Sequence, residues 1–204
     1  MSTAAIYLGH LNPMTKAHES IISMLQKDYH VYVFPVRFIR DDCEINTKSF
    51  PFPYELRKQM VDSVFGDSVT VLPNYTFHAP FVKYVPPLLS PWSWELRKQI
   101  ITQIKESKFV SYTGDKAERL MLRVYRLNPL KANRLEVSAA SVKRELYRQA
   151  IERKSDDKGW QINVPEPVFD IIKKNWHIID GFARMQDKSV RVMGMKFPRD
   201  GYKR

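Results

Sequence analysis

Short apolar runs alternate along the chain with segments whose apolar residues recur at helical spacing. Residues 4–8 are short and apolar and end before Gly9, and residues 30–36 are rich in β-branched and aromatic side chains, as buried strands are. Between them the apolar residues Ile21, Ile22, Met24 and Leu25 fit a helix. Strands that alternate with helices predict an α/β fold with a Rossmann-like, open parallel sheet and helices on both faces.

The same patterns divide the rest of the chain. Five strands are predicted, at residues 4–8, 30–36, 68–73, 108–113 and 134–137. Six helices are predicted, at residues 16–26, 54–65, 94–107, 115–125, 139–153 and 165–175. Residues 37–53 and 74–91 are predicted to be long loops, and short strand-like runs with basic turns follow Trp176. We therefore expect an α/β domain at residues 1–175 and a basic C-terminal extension at residues 176–204, whose role the sequence leaves open.

The composition limits the classes of ligand and the cellular setting that the chain is suited to. The formal net charge is +11, which favours nucleotides, nucleic acid or acidic membrane as partners without choosing among them. Cys43 is the only cysteine, which excludes an intramolecular disulfide and a cysteine-based metal cage. The start of the chain is unlike a signal peptide, and no stretch approaches the roughly 20 apolar residues that cross a bilayer. We expect a soluble, cytoplasmic protein.

One short sequence occurs twice. Residues 51–60 read PFPYELRKQM and residues 91–100 read PWSWELRKQI. Two copies are fewer than a repeat protein needs. Two helices with similar N-termini are one interpretation, and a pair of aromatic, basic helix starts over one cleft is the other.

The segment from Gly9 to His18, GHLNPMTKAH, follows the first strand and opens the first helix. Parallel sheets bind ligands at the carboxyl ends of their strands. We expect Gly9 to permit a tight turn and a close phosphate approach, and the free N–H groups of the helix N-terminus to bind phosphate. Thr15 and His18 are three residues apart, so both can face that phosphate. Alternatively, Thr15 only caps the helix and His18 is an ordinary surface residue.

This segment resembles the first motif of the nucleotidyltransferase superfamily, G-x-F-N-P-x-[TH]-x-G-H, and is most similar to that of the nicotinamide mononucleotide adenylyltransferases. Gly9, Asn12, Pro13, Thr15 and His18 match in register. Leu11 stands in place of Phe, and Ala17 in place of Gly.

A second segment, VSAASVK at residues 137–143, resembles the I-S-S-T-x-I-R motif of the same enzymes. It follows the predicted fifth strand and opens a helix, with Ser138 as the expected N-cap. Lys143 takes the place of Arg and brings charge without the bidentate fork. Arg144 could compensate for that change, and Ala140 lacks the hydroxyl of the usual Thr.

Three further regions are similar to the adenylyltransferases. Residues 47–57 resemble T-x-x-N-P-F-[ST]-x-x-E-R, with Phe50 in place of Asn and Arg57 one residue late. Gly114 and Asp115 follow the fourth strand and resemble a G-H-x-K-D segment. Trp94 lies where some members carry a base-stacking Trp, and a core anchor is equally consistent with it.

The resemblance implies that a substrate phosphate attacks the α-phosphorus of ATP and releases pyrophosphate, with Mg²⁺ arriving on ATP. It implies catalytic roles for His18, Thr15 and Lys143. The implied ATP contacts are Gly9, His10, Leu11, Asn12, Lys16, Gly114, Asp115, Ser138, Ser141 and Arg144. The implied contacts to the second substrate, nicotinamide mononucleotide, are Thr47, Phe52, Arg57 and Trp94. No protein metal site is implied, and a homo-oligomer is compatible with the family.

Three other functions stay open from the sequence. Relatives with the same two motifs transfer to pantetheine phosphate or use CTP. The net charge and the basic residues of the C-terminal extension are compatible with a nucleic-acid-binding protein. The changes at Phe50, Ala140 and Lys143 are compatible with a nucleotide sensor that has no turnover.

Overall fold

The structure is a computed structural model that describes residues 3–113, 116–130, 139–152 and 159–203. The strands within these ranges are β1 (Thr3–Gly9), β2 (His30–Pro35), β3 (Arg37–Arg40), β4 (Cys43–Glu44), β5 (Val69–Val71), β6 (Thr76–His78), β7 (Lys108–Tyr112), β8 (Ser189–Val192) and β9 (Met195–Pro198). The α-helices are α1 (Lys16–Leu25), α2 (Tyr54–Phe65), α3 (Pro91–Ile101), α4 (Lys116–Val124), α5 (Ala139–Glu152), α6 (Glu166–Lys174) and α7 (Trp176–Ala183).

The main sheet has four strands in the order β5-β2-β1-β7, and every described pair is parallel. β1 lies in the middle, with Gly9 opposite Pro35 of β2 and Tyr7 opposite Tyr112 of β7. The loop after β1 therefore leaves the sheet at the carboxyl edge between its two neighbours, where parallel sheets bind ligands.

Helices cover both faces of this sheet, and strand alternation explains how. Ala5 and Tyr7 belong to one buried cluster, whereas Ala4 and Ile6 belong to the other. The first cluster also contains apolar residues of α1, α2, α5, α6 and α7, and the second contains residues of α3 and α4. The predicted α/β class, with a parallel sheet between helices, is confirmed.

The two predicted long loops contain a second, small sheet. β3 pairs with β4 in antiparallel and with β6 in parallel orientation. Phe38 and Phe77 are paired across β3 and β6 and stack at 5.6 Å. The prediction of irregular loops was wrong here because these strands have only two to four residues, too few for a visible alternation.

The region after residue 175 was predicted to consist of strand-like runs, but it begins with the helix α7. Ile179 and Ala183 of this helix are buried in the first cluster, and Phe197 of β9 is buried in the second. The described residues of this region therefore pack into both cores. The boundary at residue 175 stays a prediction.

The predicted fifth strand at residues 134–137 lies outside the described residues, as do Gly114, Asp115 and Ser138. The chain runs alongside β7 at Pro129, which forms a parallel bridge with Ser111. Within the described part of the chain, no helix combines the length and the apolar character needed to cross a membrane.

Candidate active site

The loop from β1 to α1 turns at Leu11 rather than at Gly9. Leu11 has φ +42° and is fully buried, a backbone conformation that a branched side chain rarely adopts. Gly9 is the last residue of β1, and a Cβ at Gly9 would meet the side chains of Tyr7 and Leu11 at 3.6 and 3.7 Å, which are ordinary contacts. The expectation that Gly9 makes the tight turn was therefore wrong, and its place beside ATP stays a prediction.

Thr15 and His18 form a capping box at the start of α1. Thr15 is the N-cap and fully buried, and His18 is the third residue of the helix. The Thr15 N–H donates to His18 Nδ1 at 3.0 Å, and Thr15 Oγ1 lies 3.1 Å from the same nitrogen. Because a backbone N–H can only donate, Nδ1 is the acceptor and the ring proton lies on Nε2. The structure therefore confirms the cap interpretation of Thr15. The phosphate interpretation stays a prediction, and the fixed tautomer of His18 is compatible with it.

His18 stays neutral in the working pH range. Desolvation of the ring by the surrounding protein and the nearby charge of Lys143 lower the pKa of His18 to about 4. The ring is partly open to solvent and packs edge-on against Tyr7, with 6.3 Å between centroids. A neutral imidazole with its proton on Nε2 is a hydrogen-bond donor that needs no protonation to act.

Asn12 connects the β1–α1 loop to the segment before α2. Its amide Nδ2 donates to the Phe52 carbonyl at 2.9 Å, and its Oδ1 accepts from the Phe52 N–H at 3.1 Å. Both residues are buried, and the Phe52 ring is in the first core cluster. The structure thus brings two motifs that are 40 residues apart into direct contact.

Arg57 is neither a solvated helix charge nor open to the surface. Its side chain is 2% exposed, and its guanidinium donates to the carbonyls of His10 and Val36 and to Glu44 Oε1 at 2.8 Å. Glu44 also accepts from the Tyr54 N–H at the start of α2. Arg57 therefore holds the ends of β1 and β2 in place, and a contact with the second substrate stays a prediction.

Lys143 of α5 reaches the same loop from the other side. Its ammonium donates to the carbonyl of Asn12 at 2.8 Å and to that of Ser49 at 2.6 Å. Burial, together with the nearby charges of Lys196 and Arg57, lowers the pKa of Lys143 to about 8, and Asp187 acts in the opposite direction. Lys143 is thus charged at neutral pH and lies between the two motif segments.

Positive charge converges on His10. His10 is an exposed residue, but one face of its ring stacks on Phe50 with 4.6 Å between centroids. Desolvation of the ring by the surrounding protein, together with its neighbours Lys143, Arg57, His18 and Lys196, lowers the pKa of His10 to about 3. The loop after β1 is therefore a basic site, suited to an anion.

Beside Lys143 a cavity of about 620 Å³ opens along α5. Arg144 is exposed at this cavity, and Lys48 and Arg148 also line it. Lys16, the first residue of α1, is exposed. Ser141 lies in the first turn of α5, one turn before Arg144.

The remaining predicted second-substrate residues are placed differently. Thr47 is buried and pairs with Phe50 across a tight turn. Ser49, whose carbonyl accepts from Lys143, lies within this turn. Trp94 is 38% exposed, packs edge-on against Tyr125 at 4.8 Å and donates to the Leu88 carbonyl. The structure thus brings Thr47 to the Lys143 region and gives Trp94 partners from another part of the fold.

Sequence reasoning missed Glu44, Ser49, Asp187 and Lys196. Glu44 lies in a segment predicted to be a loop, and Asp187 and Lys196 lie beyond the region that resembles a known family. Ser49 contributes its carbonyl and its hydroxyl, which no motif marks. Only the long-range contacts of these residues reveal them.

The sequence matches no protein-family profile and no curated protein. Solved structures share the fold. One is a Vibrio parahaemolyticus protein assigned as a nicotinate-nucleotide adenylyltransferase, with TM-score 0.53 and 14% identity over 88% of this chain and 96% of that one. Another is a bifunctional NMN adenylyltransferase/ADP ribose pyrophosphatase from Francisella tularensis, with TM-score 0.55 and 19% identity over 88% of this chain and 55% of that one.

A third is the nicotinic acid mononucleotide adenylyltransferase of Plasmodium falciparum complexed with NaAD. Its TM-score is 0.52 at 12% identity, over 87% of this chain and 98% of that one. At these identities the likeness establishes a fold of the nucleotidyltransferase type.

Proposed function

We propose that this protein is a nucleotidyltransferase that joins the adenylyl group of ATP to nicotinamide mononucleotide, forming NAD and pyrophosphate. The observation that carries the proposal is the His18 ring, which is neutral and has its proton on Nε2, at the N-terminus of α1 and beside the ammonium of Lys143. A positioned hydrogen-bond donor and a fixed cation can stabilise negative charge that develops on a ligand at the carboxyl edge of a parallel sheet. Transfer between phosphates depends on such positioning and charge stabilisation.

In the proposed step, a phosphate oxygen of the mononucleotide forms a bond to the α-phosphorus of ATP. The bond from that phosphorus to the β-phosphate oxygen breaks, and pyrophosphate leaves with the electron pair. The attacking phosphate is already anionic near neutral pH, so no side chain has to remove a proton. Catalysis then consists of alignment and charge stabilisation.

His18 Nε2 would donate to an oxygen of the α-phosphate, where negative charge grows in the transition state. Lys143 would place its charge beside the phosphates, and Arg144 and Lys16 would add charge from the cavity and from the start of α1. Thr15 would act chiefly by holding His18.

The described residues contain no group of three or more His, Cys, Asp or Glu side chains that could hold a metal ion. Following the resemblance to the adenylyltransferases, we propose that Mg²⁺ enters with ATP and is held by phosphate oxygens and water. Bound in this way, it would neutralise part of the charge on the departing pyrophosphate.

The acceptor is proposed from two observations. Residues 47–57 resemble the mononucleotide-binding segment of the adenylyltransferases, and this segment contacts the β1–α1 loop through Asn12. The structures that share the fold carry names of enzymes acting on nicotinate or nicotinamide mononucleotide. Both observations favour a pyridine mononucleotide over pantetheine phosphate.

The test is pyrophosphate release from ATP and Mg²⁺ with nicotinamide mononucleotide, its acid analogue or pantetheine phosphate added in turn. We expect release with nicotinamide mononucleotide and a loss of about 10²–10³-fold in kcat for His18→Ala, the usual cost of removing one donor to a developing oxyanion. The matched control is His177→Ala, which removes an exposed histidine of α7 and should leave the rate unchanged.

Pyrophosphate release with a different acceptor would support nucleotidyl transfer but assign another second substrate. ATP binding without any release would favour a nucleotide sensor. Salt-dependent affinity for DNA or RNA with no release would favour a nucleic-acid-binding protein.

A further inference from the structure

The segment of residues 47–50, called here the strap, is held against α5 by two side chains. Lys143 Nζ donates to the Ser49 carbonyl at 2.6 Å, and Tyr147 Oη donates to the Lys48 carbonyl at 2.8 Å. The strap therefore supplies one of the two carbonyls that fix the position of the Lys143 ammonium.

The opposite side of the strap is held by the C-terminal region. Ser49 Oγ donates to Asp187 Oδ2 at 2.5 Å, and Lys196 Nζ contacts both that carboxylate oxygen, at 2.8 Å, and Ser49 Oγ. Ser189 Oγ donates to Asp187 Oδ1 at 2.7 Å and lies 3.1 Å from Thr47 Oγ1. Ser49 thus bonds to Lys143 through its carbonyl and to Asp187 and Lys196 through its hydroxyl.

We propose that Asp187 and Lys196 are positioning residues, which hold the Ser49 peptide against the Lys143 ammonium and so set where that charge lies in the site. The inference rests on the proposed function for its catalytic meaning. It gives the C-terminal region a role that no motif of the sequence assigns to it.

The charges of Asp187 and Lys196 also change the pKa of Lys143, in opposite directions. Lys196 lowers the pKa of Lys143, and Asp187 raises it. Other ionisable groups near Lys143 are Arg57 of α2 and His10 and His18 of the β1–α1 region. Lys48, Arg144, Tyr147, Arg148 and Glu152 line the same cavity as Lys143. Since those groups stay in place in Asp187 and Lys196 variants, each variant should move the pKa of Lys143 in its own direction.

A general structural role would give a different result. The Asp187 and Lys196 side chains are each 34% exposed, and ion pairs with that exposure add little to global stability. Their loss should therefore change the site more than it changes unfolding.

The test compares Asp187→Asn and Lys196→Gln with Lys188→Gln, which removes an exposed positive charge next to Asp187. We expect both site variants to lose about tenfold or more in kcat/KM, as small misplacements of a catalytic charge do. The alkaline limb of the rate profile should move down in pH for Asp187→Asn and up for Lys196→Gln, by about half a pH unit each. Lys196→Arg should recover part of the rate, and Lys188→Gln should match the wild type.

A second readout is independent of turnover. The Lys143 side chain is titrated by NMR in protein with isotope-labelled lysine, and its signal is assigned by its loss in Lys143→Arg. Shifts of the Lys143 pKa in opposite directions in Asp187→Asn and Lys196→Gln would support the inference. They would do so even if the wild type releases no pyrophosphate, because that result would refute only the proposed function. An unchanged Lys143 titration, or equal rate losses with shifts in the same direction, would overturn it.

Discussion

His18 and Lys143 bring a donor and a charge to one site, but the chain fixes them in different ways. The His18 ring is held by the residue three positions earlier, through the backbone N–H and hydroxyl of Thr15. The Lys143 ammonium is held by the carbonyls of Asn12 and Ser49, which lie 131 and 94 positions away. The first group is positioned by one turn of helix and the second by the whole fold.

This difference indicates which half of the site tolerates changes elsewhere in the fold. A capping box forms wherever α1 forms, so the His18 tautomer depends on little else. The position of Lys143 depends on the strap, on α5 and on the β1–α1 loop together. Changes in long-range contacts should therefore disturb the Lys143 half of the site first, and changes in the cap should disturb only the His18 half.

The largest effect is expected from Arg57→Met. Arg57 is 2% exposed and its partner Glu44 is 16% exposed, so the substitution leaves a nearly buried carboxylate without its cation. Loss of one partner of a buried ion pair costs about 3–5 kcal/mol. Urea unfolding should show this loss, together with lower activity because the His10 and Val36 carbonyls lose their donor.

Arg97→Met is the matched control, because Arg97 occupies the same place in the second copy of the ELRKQ sequence. Its guanidinium is only partly buried and bonds to the Tyr125 carbonyl. We expect a cost of about 1 kcal/mol for this lost hydrogen bond. Equal costs for the two variants would contradict the structural role of Arg57.

The next effect concerns pH. Since the pKa of Lys143 is lowered to about 8, its charge, and with it the rate of pyrophosphate release, should fall as the pH rises through 8. Lys143→Arg keeps a charge at all these pH values and should abolish that alkaline limb. Lys16→Arg is the control and should retain it. An alkaline limb that persists in Lys143→Arg would assign it to another group.

Deprotonation of Lys143 should change stability in the opposite direction: as the pH rises, the rate falls but the free energy of unfolding increases. An unfolded lysine keeps its proton to a pH of about 10.4, whereas folded Lys143 loses it near pH 8. Between these values the unfolded state binds more protons, so the free energy of unfolding contributed by Lys143 rises with pH. Urea midpoints of the wild type and Lys143→Arg across this range measure it.

The smallest effect is expected from Thr15→Ala. The substitution removes the N-cap hydroxyl, which costs about 1 kcal/mol of stability, but the Thr15 N–H remains to hold His18 Nδ1. The rate should fall far less than in His18→Ala, and Thr15→Ser should recover it. A Thr15→Ala loss as large as that of His18→Ala would show that the hydroxyl itself contacts the substrate.

The α/β class was predictable because β1 and β2 are apolar on both faces and α1, α2 and α5 have clear apolar stripes. Their predicted and observed bounds agree within a few residues. The second sheet was not predictable, since β3, β4 and β6 are short and are stabilised by Phe38, Phe77 and Phe197 from distant parts of the chain. α7 was also missed, because its eight residues follow α6 after a single residue.

By itself the sequence determined the order of the main-sheet strands β1, β2, β5 and β7 and of the helices α1 to α6, because these depend on periodicity along the chain. It also placed Thr15 and His18 three residues apart at the start of α1. The tertiary structure alone decided that Arg57 is buried, that Lys143 lies between Asn12 and Ser49, and that Asp187 and Lys196 reach the strap. The physical reason is that these side chains are satisfied by carbonyls and hydroxyls that any residue or many residues could supply. Such partners leave no pattern along the chain, and only the packing of the sheet and its helices selects them.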